Sequence, residues 1–166
     1  FPGTEVFLRR RVVGMVDRGE LISWADQGKF ILVELGFQRC SDGVCDVTDE
    51  LIARGLTPII AHPERYLWLP SDIETFVNLR NQGCVFQFNM MSINGHFGPR
   101  TQAVALELIR CSGEYLIGTD SHSDAGKYFD FAAAKEQLRG LGLLGEEGTA
   151  LPGSMTDIPR LDKLPL

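Results

Sequence analysis

No stretch of this 166-residue sequence comes near the ~20 consecutive apolar residues that a bilayer-spanning helix needs, so membrane insertion is not expected. Positive charge is scarce: 16 Lys and Arg stand against 22 Asp and Glu, for a net charge of −6 and a pI near 5.0. That balance argues against a nucleic-acid partner, which needs Lys and Arg gathered on one face; the single basic cluster, Arg9-Arg10-Arg11, is too short to supply one. The four cysteines, Cys40, Cys45, Cys84 and Cys111, form no C-x-x-C pair, so reduced structural thiols are expected rather than a zinc knuckle or a disulfide frame. Residues 1–11 contain neither a basic n-region nor an apolar h-region, and the expectation is a cytoplasmic protein. Histidine is rare: His62, His96 and His122 are all there are.

What is present is ordinary globular composition, 44% hydrophobic and 23% charged, in a length that suits one domain. One phrase recurs four times: a Gly, a short apolar run, then a polar residue. Gly28 leads to Glu34, Gly55 to His62, Gly83 to Asn89 and Gly113 to Asp120, each polar residue six or seven positions after its Gly. Glycine is the usual helix stop because it takes the left-handed conformation without strain, and apolar runs this short, so bounded, read as buried strands. Glu5, before Val6-Phe7-Leu8, is placed at the edge of a further short strand. Helical spacing of apolar residues predicts helices over Asp46 to Arg54, Asp72 to Gln82 and Pro99 to Ser112, with Pro99 suited to a first helical turn. Strands alternating with helices, the strands apolar throughout, predict a parallel sheet or an α/β barrel. In such folds the strand-to-helix loops at the C-terminal strand ends build the active site, and that is where Glu34, His62, Asn89 and Asp120 fall.

Carboxylates and imidazoles converging together suit Mn²⁺, Fe²⁺ or Zn²⁺, which accept mixed oxygen and nitrogen ligands. Asp120-Ser121-His122 is a D-x-H pair whose two side chains can reach one centre as the chain leaves a strand. In isolation it fits a capping Asp and a surface His equally well; its conjunction with His62 and Glu34 at equivalent strand ends favours the metal. Pro63 drives His62 out of the helical region and suits the first position of a helix, which puts Arg65 in the first turn beside the ligand candidates. A guanidinium there could grip a phosphate bidentately, the alternative being a surface ion pair with a neighbour such as Glu64. Lys127 could be a second phosphate contact or a solvated side chain. His96, in the glycine-bracketed loop Ile93 to Gly98, could touch substrate or merely be exposed. Trp24, Tyr66 and Trp68 read as packing or rim aromatics.

Pro2-Gly3-Thr4-Glu5, Leu32-Val33-Glu34-Leu35, Ala61-His62-Pro63-Glu64-Arg65-Tyr66, Phe97-Gly98 and Thr119-Asp120-Ser121-His122, in this order, resemble the PHP-family (polymerase and histidinol phosphatase) protein-tyrosine phosphatases of bacteria. Those are manganese-dependent enzymes encoded with capsular and exopolysaccharide synthesis genes. The likeness runs from about Pro2 to a helix around Ala132 to Leu141. It implies an α/β fold, a distorted (β/α) TIM-like barrel of the PHP type over residues 1–144; the region 145–166, with Pro152, Pro159 and Pro165 and little periodicity, reads as an irregular tail. The resemblance further implies Glu5, Glu34, His62, Asp120 and His122 as metal ligands and Arg65 as a catalytic phosphate contact, with Lys127 beside it; Asn89, at its strand end, and His96, in its loop, are candidates for the substrate side by placement alone. Lys127 stands where the family tends to have a second Arg, keeping the charge but not the bidentate fork. The family's H-x-H pair, which precedes the segment matching Pro2, has no counterpart here, so the barrel is expected to be incomplete at its N-terminus.

The expectation is therefore a metal-dependent phosphoester hydrolase acting on phosphotyrosine, with manganese as cofactor and iron or zinc as alternatives. Its substrate would be a bacterial tyrosine kinase, and homo-oligomers are compatible with the family pattern. Two rivals follow from the same residues: a non-catalytic remnant serving as an interaction module, and a PHP phosphatase acting on a small metabolite such as a sugar or histidinol phosphate.

Overall fold

All four recurring phrases form β-strands in the computed structural model, which describes residues 2–121, 130–145 and 161. The glycines that open them, Gly28, Gly55, Gly83 and Gly113, have φ of 66°, 80°, 94° and 73°. A Cβ is strained in this left-handed region, so these positions favour glycine. Eleven elements are described: β1 (Glu5–Phe7), α1 (Arg11–Asp17), β2 (Phe30–Glu34), α2 (Val44–Ile52), β3 (Thr57–Ala61), α3 (Ile73–Gln82), β4 (Val85–Asn89), α4 (Met90–Ile93), α5 (Pro99–Cys111), β5 (Tyr115–Gly118) and α6 (Phe131–Gly140), with 3₁₀ turns at Trp24–Asp26, Pro63–Arg65 and Leu69–Ser71. The protein is thus α/β, and its described ladders are parallel. None of the helices described is long and apolar enough to cross a membrane.

The chain divides into two compact units. The first contains Phe1–Ala61 and Tyr66–Val85. Here β2 lies between β1 and β3, with Glu5 opposite Leu32, Phe7 opposite Glu34, and Leu32 opposite Ile59. Ile31, Val33, Ile59 and Ile60 are buried, as a parallel strand covered on both faces requires. Helix α2 packs on α3 and on β3, burying Val44, Val47, Thr48 and Leu51; it begins at Val44, two residues before the predicted start, because left-handed Gly43 is its N-cap. Asp72 caps α3, accepting from the amide and hydroxyl of Thr75 at 3.4 and 2.8 Å, the local preference expected of an N-cap Asp. Tyr66 and Trp68 tie the strand ends. The Tyr66 hydroxyl donates to the Ala61 carbonyl at 2.7 Å and accepts from Leu35 N–H at 3.1 Å, and the Trp68 indole donates to Gly36 O at 2.9 Å. The two rings stack, 5.6 Å apart and 12° from parallel. Trp24 is exposed at the rim.

The second unit contains His62–Arg65 and Phe86–Leu166. Strand β4 pairs with β5, Phe86 opposite Tyr115 and Asn89 opposite Gly118. Phe86, Phe88, Ile93, Ala105, Leu108, Ile109, Ala134 and Leu138 form its core. A Cβ at Gly118 would lie 2.4 Å from the Gln87 carboxamide nitrogen, so glycine is what lets the neighbouring side chain lie across this strand. Asp130 caps α6 through Ala133 N–H while its carbonyl accepts from Asn94. The four thiols are free, Cys84 and Cys111 buried and Cys40 and Cys45 half-buried. Apart from Gly145 and Leu161, the tail predicted over 145–166 lies outside the described residues.

Candidate functional site

The dipeptide after β3, His62-Pro63, belongs to the second unit. Proline cannot continue a ladder and disfavours helix in the residue before it. Pro63 accordingly opens the single 3₁₀ turn Pro63–Arg65, and His62 is left outside it with φ 34°. His62 is 2% exposed; its N–H donates to Gln87 O at 2.7 Å and its carbonyl accepts from Arg65 N–H at 3.0 Å. Asp120, two residues past the end of β5, has φ 51°. Only four non-glycine residues among those described have positive φ, and two of them are His62 and Asp120. Such strain costs on the order of 1–3 kcal/mol per residue and persists where surrounding structure imposes it, often at functional sites. Ligand atoms of His62 and Asp120 lie within 4.8 Å of each other.

Arg65 completes the group. Its Nη1 donates to Asp120 Oδ2 at 2.5 Å, the two side chains being 30% and 10% exposed, and its guanidinium lies over the ring of Phe97, 5.3 Å from the centroid. The alternative of a pair between Arg65 and Glu64 is not what forms. Glu64 turns inward, 4% exposed, and accepts the Asn89 amide at 2.9 Å. Burial pushes its carboxyl upward from the ordinary range, opposed by the neighbouring Ser92 hydroxyl, the Asn89 amide and His62. Glu64 therefore fastens the turn carrying His62 and Arg65 to the start of α4. Spacing alone does not distinguish this inward carboxylate from a solvated one, since the residue before and the residue after it both serve other roles.

The other expected positions are placed as follows. Glu34 is the last residue of β2 and half-buried; Glu5 opens β1 and is exposed. Asn89 ends β4, 2% exposed, with its carboxamide oxygen accepting from Met91 N–H at 2.9 Å as the cap of α4. His96 is exposed in the loop between α4 and α5. His122 and Lys127 lie outside the described residues. Phe97, to which spacing assigned no role, is the aromatic against Arg65; its signal was a large apolar residue held between two glycine-containing turns, and it is 44% exposed.

An imidazole and a carboxylate this close are a mixed donor set of the kind borderline divalent ions accept, so these residues fit such a metal. The adjoining guanidinium supplies charge-assisted donors suited to an oxyanion.

The chain is 26% identical over 156 residues to the tyrosine-protein phosphatase YwqE of Bacillus subtilis, a match covering 94% of this chain and 59% of that protein. It is 25% identical over 129 residues to the CapC protein of Staphylococcus aureus, covering 78% and 50%. The chain thus spans between half and three fifths of these relatives. Its structure superposes with a TM-score of 0.78 and 25% identity on a chain from crystal structures of YwqE and of CpsB from Streptococcus pneumoniae, described as metal-dependent tyrosine phosphatases; 84% of this chain and 56% of that one are covered. Residues 1–140 match the model of the capsular polysaccharide synthesis family CpsB/CapC, and the chain belongs to that family.

Proposed function

We propose that this protein is a metal-dependent phosphoester hydrolase acting on phosphotyrosine in proteins, within bacterial capsule or exopolysaccharide synthesis. The observation that carries the reading is the grouping of His62, Asp120 and Arg65 in one strained, largely buried corner. His62 and Asp120 would hold the metal, joined by Glu5, Glu34 and His122, with manganese the ion proposed and a PHP-type barrel the architecture. A divalent cation supplies Lewis-acid polarisation of the phosphoryl group and makes water more acidic. Arg65 binds and orients the phosphoryl oxygens, with Lys127 as a second cation and Asn89 and His96 lining the substrate side. Charge-assisted donors aimed at the equatorial oxygens stabilise the transition state more than the ground state, which is the source of rate. A cytoplasmic setting and a tyrosine kinase of the polysaccharide machinery as substrate complete the proposal.

The test is hydrolysis of a phosphotyrosine peptide and of a small alkyl phosphate with added Mn²⁺. Turnover of the peptide, dependent on Mn²⁺ and at least tenfold faster than the alkyl phosphate, is expected. Arg65→Ala is expected to lower kcat by about 10²-fold, the scale of losing one transition-state donor, with Mn²⁺ affinity retained. Turnover indifferent to Arg65→Ala overturns the phosphate role.

A further inference from the structure

Phe97 is a large apolar side chain left 44% exposed, in a loop that is anything but slack. Gly95 and Gly98 both have positive φ, 80° and 90°. Gly98 N–H donates to Gly95 O at 3.0 Å and His96 N–H to Met91 O at 2.9 Å. The Gln102 carboxamide donates to Ile93 O at 2.8 Å and sits where any Gly95 side chain would go, 3.3 Å from that position. The loop thus holds an exposed ring at fixed geometry, 5.3 Å from the Arg65 guanidinium. Cation–π attraction explains part of this contact. It does not explain why the rest of the ring remains in water beside a group suited to phosphate.

We propose that Phe97 is a specificity residue: an aromatic platform that receives the ring of an aryl phosphate whose phosphoryl group is held by Arg65. The proposal rests on the phosphate-binding reading of Arg65. In an aryl phosphate one ester oxygen separates phosphorus from the ring, so a phosphoryl group docked on the guanidinium brings its ring to Phe97 within the ~4.5–7 Å of offset or edge-to-face pairs. An alkyl phosphate offers no such face. Phosphotyrosine is thereby favoured over phosphoserine and over sugar phosphates, whose first atoms beyond the ester oxygen are aliphatic.

Non-hydrolysable probes make the test independent of turnover. Affinities of the full chain with Mn²⁺ are measured by calorimetry for benzylphosphonate, whose methylene stands in for the ester oxygen before the phenyl ring, and for methylphosphonate, in the wild type and in Phe97→Ala, Phe97→Leu and Phe97→Tyr. The wild type is expected to prefer the benzyl compound about tenfold, the sum of an aromatic pair and its buried area. Ala is expected to abolish the preference and Leu, which keeps only the apolar area, to reduce it severalfold, while methylphosphonate affinity stays within about twofold; Tyr is expected to keep it. Retained preference in Phe97→Ala overturns the proposal. So does an equal loss for both probes, which would make Phe97 only a support for Arg65. Wild-type binding of methylphosphonate without aryl preference removes the platform but leaves the phosphate site standing, whereas binding of neither probe removes both. Because the ring is exposed, the variants are expected to unfold at the wild-type temperature, and Leu preserves apolar volume should Ala not fold.

Discussion

His62 and Asp120 stand out at the scale of the single residue by their backbone conformation. Both adopt positive φ, which is uncommon for a residue with a side chain although Asp and His take it more readily than most. At His62 the following Pro63 disfavours the right-handed helical alternative, and the N–H is held by Gln87 O; at Asp120 the carboxylate is held by Arg65. Gly118 is the complementary case, a position where the absence of a side chain is required. Gly118→Ala is expected to destabilise by about 1–3 kcal/mol through overpacking against Gln87. In the double variant with Gln87→Ala most of that cost should vanish, a coupling that urea denaturation of the two single variants and the pair would measure. Cysteine chemistry is also set residue by residue. Burial pushes the Cys84 thiol up to about 12 and, with the nearby Asp72 and Cys45, the Cys40 thiol to about 11. Thiolate is the reactive form, so neither should react with a disulfide reagent at pH 8 in the folded protein. Fast labelling of Cys84 without denaturant would contradict its burial.

Among the elements, strand ends matter more than strand middles. Glu34, His62, Asn89 and Asp120 all emerge at or just after a C-terminal strand end, as the alternation of short apolar runs with helices leads one to expect. Their apolar runs are legible because parallel strands are buried on both faces, and the helices because their apolar residues recur at helical spacing. α1 and α4 were not legible. α1 contains Gly14 and three valines, residues of low helix propensity; α4 is one turn following directly on β4, started by the Asn89 cap. Holding strand ends in place falls to side chains from elsewhere. The Tyr66 hydroxyl bridges the end of β3 and the residue after β2. Tyr66→Phe leaves a buried Leu35 N–H without its acceptor, which should cost about 1–3 kcal/mol. The measurable consequence is a lower urea midpoint at unchanged m-value, and a variant as stable as wild type would count against the bridge.

For the molecule as a whole, the acidic charge and the mixed donor set predict a response to divalent cations. A ligand that binds only the folded state stabilises it by RT ln(1 + [L]/Kd), about 2.7 kcal/mol at a hundredfold excess over Kd. Mn²⁺ should therefore raise the unfolding temperature by several degrees, and Asp120→Asn or His62→Ala should abolish most of that rise. An identical rise in these variants, followed by calorimetric scanning, would move the metal away from this corner.

The sequence by itself determined the α/β class, the four principal strands, the polar residues at their ends and the likeness to a phosphatase family. These depend on period, glycine punctuation and short motifs, all local in the chain. Tertiary structure alone decided which partner each charged side chain takes. Arg65 reaches Asp120, 55 positions away, instead of its neighbour Glu64; Glu64 goes inward to Asn89; and Phe97 meets the guanidinium from a different loop. Those choices are set by direction and burial, and side-chain direction at the end of a strand is fixed by packing that a linear pattern does not encode.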